Sequence, residues 1–175
     1  MHFYKLNRTM KGMKAMKETV NEVRMKLHRL NEVNNMIVSD CERLNALSNI
    51  ASPSIDRIGS NPNRSTGSAT SRIATKRMEL ENEIDALCNE RDNLEQYAKP
   101  LFKRLSPKLR LVMELRYLDS LQWLDVASAL FSNKKDFNDN ADRYRHVVTT
   151  RHGNAITKMA EILEHDRNDQ TSKNT

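Results

Sequence analysis

Aromatic side chains make up only 5% of this 175-residue chain, and glycine and proline number four each. So few turn-formers and ring-bearing residues give a helical, elongated composition, close to that of coiled coils. Two cysteines exclude a disulfide framework and leave free thiols as the expectation. No window approaches the ~20 apolar residues of a membrane span, and the basic N-terminus lacks the apolar core and cleavage site of a secretory signal. A cytoplasmic protein with no membrane partner is expected. Hydrophobic residues are 38%, thin for a large globular core, whereas charged residues are 30% and the net charge is +6. That balance suits long, solvated helices and an anionic partner.

Apolar residues from Met10 to Asn49 step by three and four: Met13, Met16, Val20, Val23, Leu27, Leu30, then Asn34, Ile37, Cys41 and Leu44. This is a heptad seam, with Asn34 at an a-type position. Asn34 is either a tolerated polar residue or a register device. Residues 1–30 carry eight Lys/Arg against two Glu, a solvated face with phosphate contact as the alternative. Ala51 to Ser71 is rich in Ser, Pro, Gly and Asn and reads as a flexible loop anchored only by Ile55 and Ile58. It is no phosphate-binding loop, because no Gly-Lys-Ser/Thr closes it. The heptad resumes with Ile73, Leu80, Leu87 and Leu94, joined by Ile84 and Ala98, and Pro100 is expected to end that helix. Two such helices joined by one loop predict a long antiparallel coiled-coil hairpin over 1–99. Its leftover apolar positions, Val33, Met36 and Leu47, would pair in a homodimer. With the fold-back near residue 61, Cys41 and Cys88 are offset by about 10 Å, beyond disulfide reach.

Ser106-Pro107 signals a helix start, followed by Leu109, Val112, Met113, Leu115 and Leu118 at helical spacing. Ser120 can cap a second helix, Leu121 to Phe131, with Leu121, Leu124, Val126, Ala127 and Leu130 inward. A polar stretch, Ser132 to Asp142, precedes a basic helix from Tyr144 to Leu163 whose apolar side is Val147, Val148, Ala155, Ile156, Met159, Ile162 and Leu163. Helix, turn, helix, loop and basic helix is the layout of a helix-turn-helix domain. The expected fold is therefore all-α: the hairpin, a helix-turn-helix domain over 100–166, and a polar, disordered tail over 167–175.

Arg116-Tyr117-Leu118, Leu121-Gln122-Trp123-Leu124-Asp125-Val126-Ala127 and Arg151-His152-Gly153-Asn154-Ala155-Ile156 together resemble the C-terminal part of phage and prophage late-gene transcription regulators of the RinA/ArpU type. The resemblance implies a domain similar to the promoter −35-reading region of sigma factors, with double-stranded DNA and host RNA polymerase as partners. The stretch Ser132 to Asp142 is longer than the corresponding connection in that family.

Candidate DNA-binding residues are Arg143, Arg145, His146, Thr149, Thr150, Arg151 and Lys158, since Arg reads guanine bidentately from a helix in the major groove. No acidic residue interrupts the positions from Arg143 to Lys158. Gly153, costly inside a helix, suggests close approach of a neighbouring helix or a phosphate backbone. Trp123 reads as core. His146, His152 and His165 lack metal-site spacing, and no catalytic triad or carboxylate pair is assembled. No enzyme activity, metal or cofactor is expected. The leading function is a sequence-specific DNA-binding transcription regulator. The alternatives are a small terminase-type DNA-packaging protein and a structural coiled-coil adaptor.

Overall fold

The computed structural model describes residues 2–50 and 66–173. These form five α-helices and no strand: α1 His2–Ile50, α2 Thr66–Lys103, α3 Pro107–Tyr117, α4 Trp123–Phe131 and α5 Ala141–Lys173. The all-α class follows. No helix among the described residues is long and apolar enough to cross a membrane. The loop segment 51–65, with Ile55 and Ile58, lies outside the described residues. Thr66 to Ser71, expected in that loop, already belong to α2. Likewise α1 begins at His2 rather than Met10.

Pro100 does not end α2, which continues to Lys103. A proline inside a helix costs about 3 kcal/mol, through a lost hydrogen bond and a clash with the carbonyl four residues back. Here that carbonyl belongs to Gln96, an exposed residue. Immediately after the proline, Leu101 and Phe102 are buried to 5% and 1% exposure. Burying two such side chains stabilises by about 1.5–3 kcal/mol each, enough to carry the helix through.

The chain divides into two compact units, residues 1–31 with 94–175, and residues 32–93. The division expected near residue 99 is therefore not where the compact units part. In the first unit, Val23, Leu27 and Leu30 of α1 share one core with Ala98, Leu101 and Phe102 of α2, Met113 and Tyr117 of α3, and Ala155, Ile156, Met159 and Ile162 of α5. A heptad seam between two helices covers only a narrow stripe; the further helices close over it. A second cluster joins Val112 of α3, Val126 and Ala127 of α4, and Val148 of α5, flanked by Leu115, Leu121, Trp123, Leu130 and Phe137. Leu124, expected inward, is 50% exposed. The nine-residue helix α4 has a narrow buried side, which Val126, Ala127 and Leu130 already fill.

Thus α5 serves both clusters, its first turns packing on α3 and α4 and its later turns on α1, α2 and α3. The polar stretch after Asp166 is helical to Lys173 rather than unstructured. Arg167 explains the extension: its guanidinium donates to Glu22 of α1 at 2.7 Å and to the Thr19 hydroxyl at 3.2 Å. Buried Thr19 also pairs with Glu164, and Arg104 donates to Asp166 at 3.0 Å. The Arg167 guanidinium, with Lys26, holds the Glu22 carboxyl below its usual range.

In the second unit Val33 and Leu80 are buried, and Asp40 is buried while accepting from Arg43 at 2.7 Å. Val33 and Asp40 thus take the inward places expected of Asn34 and Cys41, which are only half-buried. After Leu30 the covered positions fall one residue earlier than the heptad places them. Val33 is therefore not left over for a second copy. Arg43, Ala46 and Leu47 of α1 line a pocket with Lys76, Glu79, Leu80 and Glu83 of α2. Both cysteines are free and half-buried.

Candidate nucleic-acid interface

The chain reverses between α3 and α4 over residues 118–122. Ser106 precedes α3 without a side-chain cap bond, and Pro107 begins the helix. Ser120, expected to cap α4, instead has a positive φ of 56°, a left-handed backbone that costs a non-glycine residue about 1–2 kcal/mol. Gln122 occupies the cap position, with no side-chain cap bond. Among the bonds that hold the strained turn are Leu121 N–H to the Leu115 carbonyl at 3.0 Å, and Arg116 Nη1 to the Leu121 carbonyl at 2.7 Å.

Arg116 also stacks its guanidinium 4.9 Å from the centre of the Trp123 ring. Trp123 meets His152 of α5 edge-on, 4.8 Å between ring centres. His152 Nε2 shares a 2.8 Å hydrogen bond with the Tyr117 hydroxyl. Burial, then the charges of Arg116 and Arg24, push the imidazole down to about 4, so it is neutral at pH 7. Burial pushes the Tyr117 hydroxyl up to about 12. Arg116, Tyr117, Trp123 and His152 thus form one lock that fixes α5 against α3 and α4. All four lie in the residues that carry the resemblance, but His152 is far along the chain from the other three, and no local spacing marks their convergence.

The connection from α4 to α5 is folded. Tyr144, in the first turn of α5, stacks on Phe131 at 4.9 Å and on Phe137 at 5.6 Å between ring centres. Its hydroxyl donates to Asp136 at 2.8 Å, and Asn140 Nδ2 donates to the Asp136 carbonyl at 3.2 Å. A one-turn 3₁₀ segment, Asn138–Asn140, leads into α5.

This support sets the outward side of α5. Arg143, Arg145, His146 and Thr150 are exposed, and Arg143, His146 and Thr150 begin a stripe that continues through Gly153 and Thr157 at steps of three and four. Arg145 is paired with Asp142 of its own helix at 3.1 Å. Three candidates stand apart. Thr149 is half-buried and donates to the His146 carbonyl at 3.0 Å. Arg151 is half-buried with its guanidinium 5.1 Å from the centre of the Phe131 ring. Lys158 is exposed but paired with Glu161 at 2.7 Å, on the half of α5 that packs into the first core. Beyond its chain neighbours and the backbone of α5 itself, no atom lies within 4 Å of where a Gly153 Cβ would stand, so no neighbouring helix explains this glycine.

Among the described residues no three His, Cys, Asp or Glu side chains are grouped to hold a metal. No protein-family model, curated protein or solved structure matches this chain.

Proposed function

We propose that this chain is a sequence-specific DNA-binding transcription regulator that inserts the first half of α5 into the major groove. The observation that carries this reading is the exposure of Arg143, Arg145, His146 and Thr150 at the start of a helix braced by α3 and α4. Arg, His and Thr all offer donors to base edges, and Arg can bond guanine bidentately. The Arg-Tyr, Trp and Arg-His-Gly residues support a regulator of the phage late-gene type, working in the cytoplasm with RNA polymerase as a further partner. Homodimerisation belongs to the same proposal. In the second unit Met36, Val38 and Met78 are exposed at 43%, 58% and 59% and offer apolar surface to a second copy.

Arg145→Ala tests the reading helix. Against a duplex selected from a randomised pool, this variant is expected to lose about 1–3 kcal/mol of specific binding and relax preference at one base pair. Random-sequence duplex should be bound almost as before. Fluorescence titration of both proteins on both duplexes decides it. Equal discrimination by Arg145→Ala and the parent would remove α5 as the reader. Size in solution separates packaging from regulation: a ring of eight or more subunits would assign packaging.

A further inference from the structure

We infer that the segment between α4 and α5 is a second DNA contact, in which Lys134 and Lys135 grip the phosphate backbone beside the groove that α5 enters. The inference rests on the proposed DNA-reading role of α5.

The segment is built as a rigid projection. Lys134 N–H bonds the Phe131 carbonyl at 2.9 Å, and Phe137 N–H bonds the Lys134 carbonyl at 3.1 Å. The two lysines therefore ride on a turn whose ends, Phe131 and Phe137, both stack on Tyr144. Tyr144 lies between Arg143 and Arg145, so the turn is tied to the first turn of the proposed reading helix. Both lysines are exposed, and no carboxylate among the described residues pairs with either ammonium. The nearby acids are differently placed: Asp136 accepts from the Tyr144 hydroxyl, Asp142 is held by Arg145, and Asp139 is exposed in the 3₁₀ turn. Two unpaired ammonium groups on a fixed support suit the non-esterified oxygens of successive phosphates. Such contacts position a protein on the duplex and carry no sequence information.

Each phosphate neutralised adds about 0.9 to the slope of log affinity against log salt. K134A/K135A should therefore lower that slope by about 1.8 and weaken random and selected duplexes by the same factor. A four-fold rise in salt costs each contact about three- to four-fold in affinity, so the variant should be about ten-fold less salt-sensitive between about 50 and 200 mM. Phe137→Ala keeps both charges but removes the support, and should lose part of the same slope. R72A/K76A removes equal charge from α2 and should leave the slope unchanged.

Fluorescence anisotropy with labelled duplex, on proteins of matched helicity, reads all of these. If K134A/K135A keeps the parent slope while Arg145→Ala still loses discrimination, the backbone contact is wrong and the reading helix stands. If R72A/K76A falls as far as K134A/K135A, only net charge is felt and the contact is likewise wrong. If the parent protein shows no salt-dependent binding to either duplex, the reading helix falls and takes this contact with it.

Discussion

A neutral imidazole sits where α5 meets the turn between α3 and α4, and its protonation opposes folding. His152 is pushed down to about 4 in the folded chain, against about 6.5 when unfolded. Between those values the unfolded chain binds a proton that the folded chain does not. The stability from this site is therefore complete above pH ~6.5 and is lost as pH falls toward ~4. The span corresponds to at most about 3 kcal/mol, reduced by the partial exposure of the ring. Glu22 and Asp166, both lowered by their arginine partners, lose their contribution only at more acid pH. Urea midpoints should accordingly be level from about pH 7 upward and fall between about pH 6.5 and 4.5, a fall that His152→Gln should largely abolish. An equal fall in parent and variant would mean that this imidazole is not held neutral.

Along α5, Gly153 is the interior residue of lowest helix propensity. With nothing in the chain near its missing Cβ, Gly153→Ala should stabilise the protein by about 0.4–1 kcal/mol, measured as a higher urea midpoint. A lower midpoint would show that the site is more crowded than its geometry indicates. The glycine lies on the outward stripe, so loss of DNA affinity in this more stable variant would assign the space to a phosphate backbone. At this scale helix existence was legible in the apolar spacing of Val112, Val126, Val148 and Met159, all fully buried. Termini were less so. Pro100, Ser120 and Asp166 each carry a local stop or cap signal, yet the packing of Phe102 and the contacts of Arg116 and Arg167 override it. The same holds for Thr149 and Arg151: their charge and polarity are plain in the sequence, but a hydrogen bond to the His146 carbonyl and the Phe131 ring take them from the outward row.

At the scale of the whole molecule, α1 and α2 share a core with α3 and α5, which bears on how the protein can be divided. A fragment of residues 1–99 would leave Val23, Leu27 and Leu30 without Leu101, Phe102, Met113 and Met159. Each such side chain contributes about 1.5–3 kcal/mol on burial. The fragment should lack cooperative thermal unfolding or associate to cover the exposed stripe, as circular dichroism and sedimentation would show. A monomeric fragment melting as sharply as the full chain would contradict a shared core.

What the amino-acid order set by itself is the all-α class, the existence of the helices and the apolar sides of α3 and α5. Each of these is set by side-chain spacing within one segment, where helical periodicity decides which residues can face a common side. Helix packing sets the rest: α1 and α5 are joined through Glu22 and Arg167, Arg116, Tyr117, Trp123 and His152 converge, and the segment from Phe131 to Phe137 folds onto Tyr144. Those contacts link residues distant in sequence. Their partners are chosen by how the helices pack, and no local pattern encodes that choice.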